Sequence, residues 1–260
     1  MKPSIWRNSL ITVITVVTLL VIWQVASVIM DAQIILPRPL IVINEFFSFF
    51  RDPKSWMDIS TTIVRALRSF LIILTTGLIL GLAGGQSSIF SAVMRPILAV
   101  IKATPVLAII LIAFIWFKTG TVPVFSAFLM GFPVLYQNMI IGLQNRDQKL
   151  MDMGEVYGLT DMQIMKHITI PSLIPFILAG SRGALGMTWK VVIAAEVLTV
   201  PKYGVGSSME FAQINLETAT VMGWTIVAIV LTACGDLFFD ELVRIFEHVG
   251  MLTKMKWGRS

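Results

Sequence analysis

Three ionisable residues stand inside a long apolar stretch of the chain. Arg182, Lys190 and Glu196 interrupt the otherwise apolar residues 172–198. At membrane depth such side chains are costly unless they face water, protein or an opposite charge. Arg182 and Lys190 are eight residues apart, which places them on nearly the same face of a helix. Together they could line a path for a small anionic or zwitterionic solute.

The same two cations also allow a purely structural explanation. Arg182 could lie near the inner membrane interface, while Lys190 pairs with Asp236 or Asp240 in the last apolar stretch. Both carboxylates could carry protons, but their place at the inner end of the last span fits anchoring at the membrane interface equally well. The residues alone leave a solute path and a structural ion pair open.

Other candidates for a path or gate surround these charges. Glu196 is expected near the outer end of its span, where the segment containing Gly204 and Gly206 could fold as a re-entrant gate. The other residues in the candidate path are Lys102, Pro105 and Trp189.

The composition identifies the elements that must position these residues. Hydrophobic residues make up 56% of the chain and charged residues 13%, and the mean hydropathy is +0.84. A soluble domain of this length could not hide so much apolar surface from water, so an integral membrane protein is indicated. Several charge-free runs approach the roughly 20 residues that a helix needs to cross the hydrocarbon. We predict one all-α domain over residues 1–260 with spans at about 9–30, 62–86, 96–117, 121–143, 172–199 and 218–243.

Glycines at regular spacing predict where these spans pack closely. Gly77, Gly81 and Gly85 recur every four residues, and Gly180, Gly183 and Gly186 recur every three. Small residues aligned on one helical face allow another helix backbone to approach. Each set therefore predicts a close helix contact.

Catalytic and metal sites are not indicated. The single Cys234 has no disulfide partner, and the two histidines, His167 and His248, are far apart in the sequence. The chain lacks the Gly-x-x-x-x-Gly-Lys-Ser/Thr sequence of a phosphate-binding loop. We therefore predict no enzyme activity, no metal and no cofactor in this chain.

The distribution of positive charge predicts the orientation. Lys2 and Arg7 precede an apolar run that is long and lacks a cleavage pattern, so the first helix is expected to be retained. With a cytoplasmic amino terminus, eleven Lys and Arg residues fall inside and seven outside. This bias favours cytoplasmic amino and carboxyl termini.

A polar segment at residues 144–171 is enclosed by apolar runs. Residues 145–157 can be helical, and Gly158 stands where a left-handed residue would end that helix. Thr160 and Gln163 form a capping-box pattern that begins the next helix. We predict two short helices separated by a sharp turn, with Pro171 starting the following element. The alternative is a connecting loop that contacts only its own helix bundle.

The spacing in this segment resembles the cytoplasmic loop signature of binding-protein-dependent ABC importer permeases. That signature has a Glu-Ala-Ala triplet, a glycine four residues later, nine further residues and Ile-x-Leu-Pro. Residues 152–154 occupy the triplet as Asp-Met-Gly, Gly158 is the glycine, and residues 168–171 form the ending as Ile-Thr-Ile-Pro. The departures within the triplet alter its contacts and preserve the spacing.

The resemblance extends over nearly the whole chain. Residues 36–39, Leu-Pro-Arg-Pro, are similar to the Leu-Pro-x-Pro sequence of the branch that handles nitrate, sulfonates, taurine and vitamin precursors. Residues 102–105 with Trp116-Phe117, Trp189 through Ala195-Glu196, and the Gly-Val-Gly at residues 204–206 are also similar. Lys118-Thr119 departs from the Gly-Ile usual at that place.

The resemblance implies a six-helix type I ABC importer permease with a cytoplasmic coupling helix. Its expected partners are a second permease copy, two cytosolic ATPase subunits that bind ATP and Mg, and an extracytoplasmic solute-binding protein. The expected location is a bacterial or archaeal cytoplasmic membrane. The implied ATPase-coupling residues are Asp152, Gly154, Glu155, Gly158, Ile168, Ile170 and Pro171. The alternative function is a secondary transporter that couples to ions through Glu196, Asp236 or Asp240.

Overall fold

The structure, a computed structural model, describes residues 5–248, and within this range it is built from helices. The helices are α1 (Ile5–Met30), α2 (Pro39–Phe49), α3 (Pro53–Gln86), α4 (Ser88–Ala103), α5 (Val106–Trp116), α6 (Val122–Gln144), α7 (Gln148–Val156), α8 (Asp161–Ile164), α9 (Ile170–Thr199), α10 (Val205–Ile214) and α11 (Thr218–His248). A π-helical turn at Met165–Thr169 joins α8 to α9.

Five of the helical stretches are long and apolar enough to cross a membrane. They are Leu10–Met30, Pro53–Gln86, Val122–Gln144, Asp161–Thr199 and Thr218–Ile245. The pair α4 and α5 passes the same test jointly, with a bend of 101° between its two helices. If this bent pair counts as one span, the total is six.

In the region of the span predicted at about 96–117, the structure has two helices, α4 and α5, that meet at a sharp bend. Thr104 is extended, with ψ at 126°, and Pro105 precedes α5. A proline disfavours the helical conformation of the residue before it and cannot donate a backbone hydrogen bond. Pro96, in contrast, lies inside α4 without ending it.

The second span begins earlier than predicted. Helix α3 starts at Pro53, nine residues before residue 62. Asp52 caps it by accepting a hydrogen bond from the Lys54 backbone N–H at 3.1 Å, and this bond lowers the pKa of Asp52. Proline is well suited to the first turn of a helix. Residues 53–61 therefore belong to the same continuous helix as the predicted span.

Helix α6 lies at the centre of the fold and packs against both α3 and α9. On α3, a Cβ added at Gly77 would come within 2.6 Å of Leu135, and one at Gly81 within 2.6 Å of Met139. Gly85 faces Leu143 in the same way. The close contact predicted from this glycine stripe is confirmed.

The second glycine stripe is confirmed only in part. A Cβ at Gly180 would lie 2.8 Å from Asn138 Cβ, and one at Gly183 would lie 3.1 Å from Val134, so both positions face α6. Nothing lies within 4 Å of a Cβ at Gly186. A three-residue spacing drifts around a helix of 3.6 residues per turn, which explains why the last glycine leaves the interface.

Helices α1 and α2, at the periphery of the bundle, are held by aromatic stacking and by side-chain hydrogen bonds to backbone carbonyl groups. Phe49 of α2 stacks on Trp224 of α11, with ring centroids 4.2 Å apart. Trp23 and Ser27 of α1 donate to the carbonyl oxygens of Pro37 and Leu36 at 3.1 and 2.8 Å. Most apolar side chains of α1 are nevertheless exposed, as expected for a helix that faces lipid or another subunit.

Candidate functional site

A fully buried carboxylate, Glu196 of α9, is the centre of a polar cluster. Arg65 Nη1 donates to Glu196 Oε1 at 2.6 Å, and Thr62 Oγ1 donates to Glu196 Oε2 at 2.8 Å. The backbone N–H of Gly206 donates to Glu196 Oε2 at 3.1 Å. Because a charge buried without partners is very unfavourable, these three donors stabilise the ionised carboxylate.

The same cluster satisfies the amino-terminal N–H groups of α10. Gly204 N donates to Asp58 Oδ1 at 3.0 Å, and Val205 N donates to Thr62 Oγ1 at 2.9 Å. Ser208 Oγ donates to Asp58 Oδ2 at 2.8 Å. The first N–H groups of a helix have no partner within the helix, and negative charge is favourable beside them. The cluster of Asp58, Thr62, Arg65 and Glu196, which we call the outer cluster, thus joins α3, α9 and α10.

Two glycines allow α10 to approach this cluster. Gly204 has φ of +156°, and a Cβ there would lie 2.7 Å from the Glu196 carboxyl carbon. A Cβ at Gly206 would overlap the Ile193 carbonyl oxygen and come within 2.6 Å of Glu196 Cβ. A side chain at either position would separate α10 from α9.

Glu196, Gly204 and Gly206, which the sequence placed near one another, therefore meet in space. The residues that sequence reasoning missed are Asp58, Thr62 and Arg65. A signal for them exists, since their spacing of four and then three residues places them on one face of a helix. The second span was predicted to begin at residue 62, so Asp58 fell outside it and the shared helical face was not recognised.

Arg182 forms an ion pair with α11. Its Nη2 lies 2.8 Å from Asp240 Oδ2, and the two side chains are 59% and 32% exposed. The structural explanation drawn from the sequence paired Lys190 with Asp236 or Asp240. The pairing of Lys190 with Asp240 is wrong. Arg182, rather than Lys190, has this carboxylate as its partner.

Lys190 and Asp236 line one cavity between α9, α10 and α11. The cavity has a volume of about 640 Å³, and its other lining residues are mostly apolar. Asp236 Oδ1 is buried and accepts no hydrogen bond from the described part of the chain. No salt bridge among the side chains of residues 10–245 involves Lys190. A cation and a carboxylate are thus available in an apolar cavity.

Two further candidates for the path, Trp189 and Pro105, are surrounded in ways that indicate a structural role. Trp189 is buried against α11, where a Cβ at Gly235 would approach its Nε1 to 2.5 Å. Pro105 is exposed at the bend between α4 and α5 and accepts from the Ile109 N–H at 3.2 Å. The first fills a helix interface, and the second shapes a bend.

Lys102 lies at the end of α4, where its Nζ donates to Gln137 Oε1 of α6 at 3.2 Å. Both residues line a cavity of about 710 Å³ between these helices. His167, by comparison, contacts the Gln163 carbonyl oxygen at 3.0 Å through Nδ1. No group of three or more His, Cys, Asp or Glu side chains is arranged for a metal among the described residues.

The segment at 144–171 folds as a helical hairpin with a sharp turn. Gly158 has φ of +71°, the Leu159 N–H donates to the Gly154 carbonyl oxygen at 3.0 Å, and the Gly158 N–H donates to the Glu155 carbonyl oxygen at 2.9 Å. This pattern is a Schellman motif, in which a left-handed residue ends a helix. Thr160 and Gln163 then form the capping box of α8.

Gly154 is the point where the two arms of the hairpin touch. A Cβ there would lie 3.3 Å from both Ile164 and Ile168. The tip of the hairpin leaves apolar side chains exposed, with Val156 at 85% and Tyr157 at 78%. Sequence reasoning did not single out either of these two tip residues. Met162 is also exposed, at 75%, so the tip presents an apolar surface.

The second predicted short helix does not end before the fifth span. Residues Asp161–Thr199 form one continuous helical stretch of 39 residues, with Ile168, Ile170 and Pro171 inside it. The Ile170 N–H donates to the Met165 carbonyl oxygen, which makes the π-helical turn. Pro171 has no N–H to donate, and a wider turn accommodates the missing bond. Asp152 and Glu155 are exposed on the other arm, α7.

The sequence profile described as "Binding-protein-dependent transport system inner membrane component" matches residues 73–248. This chain belongs to that family. The permease is 25% identical over 221 residues to the taurine transport system permease protein TauC of Escherichia coli, a match that covers 82% of this chain and 80% of that protein. It is 30% identical over 236 residues to a putative aliphatic sulfonates permease, SsuC of Escherichia coli, covering 90% and 88%.

A third relative agrees with this membership, and a solved structure shares the fold. The nitrate import permease protein NrtB of Leptolyngbya laminosa is 26% identical over 203 residues, covering 74% of the permease and 72% of that protein. The fold matches a chain of the MetNI methionine ABC transporter in an inward-facing conformation, with a TM-score of 0.56, 16% identity and coverage of 73% and 93%. The architecture is therefore that of an ABC importer permease.

Membership in the family settles the class of transport. The permease is the multi-pass membrane subunit of an ABC importer, and ATP is hydrolysed by a separate ATPase subunit. Such a subunit works with an ATPase and a solute-binding protein. The alternative of an ion-gradient-driven secondary transporter is accordingly wrong.

Proposed function

We propose that the permease imports a small oxyanion or a zwitterion that carries one, such as a sulfonate. The observation that carries this proposal is the similarity over most of the chain to permeases named for taurine, aliphatic sulfonates and nitrate. These solutes share a compact, negatively charged group of oxygen atoms. Cations within membrane spans, such as Lys190, suit that chemistry because they offset its charge.

The proposed assembly contains two copies of the permease, two cytosolic ATPase subunits that bind ATP and Mg, and an outer solute-binding protein. It lies in a bacterial or archaeal cytoplasmic membrane with both termini inside, as the positive-charge bias favours. This orientation places the hairpin of α7 and α8 in the cytoplasm. Residues 249–260, which complete the carboxyl terminus, lie outside the described residues.

The hairpin is the proposed contact with the ATPase. Its exposed apolar tip supports this role, because a partner groove would bury Val156, Tyr157 and Met162 on docking. The residues assigned to coupling remain Asp152, Gly154, Glu155, Gly158, Ile168, Ile170 and Pro171. Of these, Asp152 and Glu155 can contact the partner directly, while Gly154 and Gly158 shape the hairpin.

The proposed path and gate residues divide into groups by their surroundings. Glu196, Gly204 and Gly206 hold α10 as an outer gate, supported by its attachment to the outer cluster. Lys190 and Lys102 each line a cavity and are proposed to contact solute. The remaining candidates, Arg182, Trp189 and Pro105, are proposed to position the helices around that path.

Uptake into vesicles tests the proposed function. The permease is reconstituted with its ATPase and solute-binding protein, and uptake of labelled taurine, ethanesulfonate and nitrate is measured. We expect uptake of at least one of them to require internal ATP and the binding protein and to persist when a proton ionophore is added. Uptake that does not depend on ATP and is driven by an ion gradient would contradict the proposed assembly. A binding protein that selects only uncharged pyrimidines would contradict the solute class.

Charge removal at Lys190 tests the path. In Lys190→Gln we expect the concentration of anionic solute needed for half-maximal uptake to rise about tenfold, because one ion contact is lost. The temperature of thermal unfolding should change little, since Lys190 has no salt bridge with the described side chains of residues 10–245. Lys118→Gln, which removes an exposed lysine between α5 and α6, is the control. If Lys190 were purely structural, the Lys190→Gln variant would instead be less stable and its uptake profile would be unchanged.

A further inference from the structure

The cavity of about 710 Å³ between α4 and α6 has an ordered arrangement of polar residues. Arg95 and Lys102 are seven residues apart on α4, and Gln137 and Gln144 are seven apart on α6. Seven residues make about two helical turns, so each pair lies on one face. The two helices thus present a pair of cations and a pair of amides to the same cavity. Ser91 and Tyr136 also line it.

The lining of this cavity carries an excess of positive charge. Its lining residues, all within the described range, include two cations and no carboxylate. Among residues 10–245, whose side chains the structure describes, the salt bridges of Arg65, Arg182 and Arg244 leave out Arg95 and Lys102. The cavity that contains Lys190, in contrast, also contains Asp236. The cavity between α4 and α6 therefore differs from the Lys190 cavity in having no lining carboxylate to offset its cations.

We propose that this cavity is an oxyanion-binding site. Arg95 and Lys102 supply the charge, and the amide N–H groups of Gln137 and Gln144 supply further donors. Lys102 Nζ already donates to Gln137 Oε1 at 3.2 Å, which leaves the Gln137 amide nitrogen available to a ligand. The ligand class is a sulfonate, phosphate or similar group, because each presents several acceptor oxygens to convergent donors.

Two sources can supply such a group: a transported sulfonate in passage, or the phosphate of an anionic lipid. The volume of about 710 Å³ is within the roughly 300–1,000 Å³ of small-molecule sites. Both cations are exposed in the single chain, so an anion can reach them without unfolding a helix. The identity of a transported anion rests on the proposed function, whereas the binding site itself does not.

Direct binding to the full-length permease in a nonionic detergent tests the site without ATP or partners. The probes are sodium methanesulfonate and phosphatidylglycerol, with phosphatidylcholine as the lipid control, and the readouts are calorimetric titration and lipid retention by native mass spectrometry. We expect Arg95→Gln and Lys102→Gln each to weaken binding about tenfold or more. Lys118→Gln should bind as the unmodified chain does, and Lys102→Arg should retain binding.

The outcomes separate the two sources and the two proposals. Binding of methanesulfonate alone identifies a solute site, and binding of phosphatidylglycerol alone identifies a lipid site; either supports an oxyanion site if the glutamine variants lose it. Binding of neither probe, or equal binding by both glutamine variants in monodisperse preparations, would overturn the inference. If methanesulfonate binds but the assembled importer transports no oxyanion, the proposed solute class fails and the site stands.

Discussion

Replacement of Arg65 by methionine is expected to destabilise the permease by about 3–5 kcal/mol, because Glu196 would be left as a buried, unpaired charge. Glu196 is fully buried, and Arg65 Nη1 is 2.6 Å from its carboxylate. The loss should lower the temperature of thermal unfolding. Hydrogen exchange at the N–H groups of residues 204–206 should accelerate, because all three donate to the outer cluster.

The permease supplies a matched control in Arg182. Arg182→Met removes the same side chain from an exposed ion pair with Asp240, and exposed pairs contribute about 0–1 kcal/mol. The double variant Arg65→Met with Glu196→Met should recover part of the stability, since it removes both charges. Equal destabilisation by Arg65→Met and Arg182→Met would show that burial of the outer cluster has no energetic weight.

Replacement of Gly158 by valine is expected to separate ATP hydrolysis from uptake. Gly158 has φ of +71°, a conformation that costs a β-branched residue about 1–3 kcal/mol. Since nothing lies within 4 Å of a Cβ at this position, a defect would report the backbone conformation and exclude a steric clash. We expect uptake by the reconstituted importer to fall at least tenfold while the permease still inserts and the ATPase still hydrolyses ATP.

Asparagine at the same position is the control for that experiment. Asn tolerates the left-handed conformation and commonly ends helices, so Gly158→Asn should keep uptake within about twofold of the unmodified importer. Unchanged uptake by the valine variant would contradict a mechanical role for the hairpin turn. Loss of uptake by both variants would show that a glycine is needed for direct contact with the partner.

The elements that sequence predicts well are those with a local physical cause. Apolar length revealed the spans, the glycine stripe at Gly77 and Gly81 revealed the contact with α6, and the capping box at Thr160 appears as predicted. Gly158 also has the left-handed conformation expected of a residue that ends a helix. Each of these features depends on residues within a few turns of one another.

The features that escaped prediction depend on contacts between distant parts of the chain. Arg65 and Glu196 are 131 residues apart, and neither position indicates its partner. The bend at Pro105 could have been anticipated locally, but its angle of 101° depends on packing. The sequence offered Asp236 or Asp240 as a partner of Lys190, whereas Asp240 pairs with Arg182. Tertiary geometry decides which cation reaches this carboxylate.

The unbroken stretch Asp161–Thr199 has a mechanical consequence. Its 39 residues make a rod about 58 Å long at 1.5 Å per residue. Ile164, packed beneath Gly154, is near one end, and Glu196 is near the other. A stiff rod acts as a lever, so a tilt imposed at the hairpin would reach the outer cluster without passing through any loop. The π-helical turn at Met165–Thr169 lies beside the end that contacts the hairpin. A small change in the helical pitch of this turn would change how much of the tilt reaches the outer cluster.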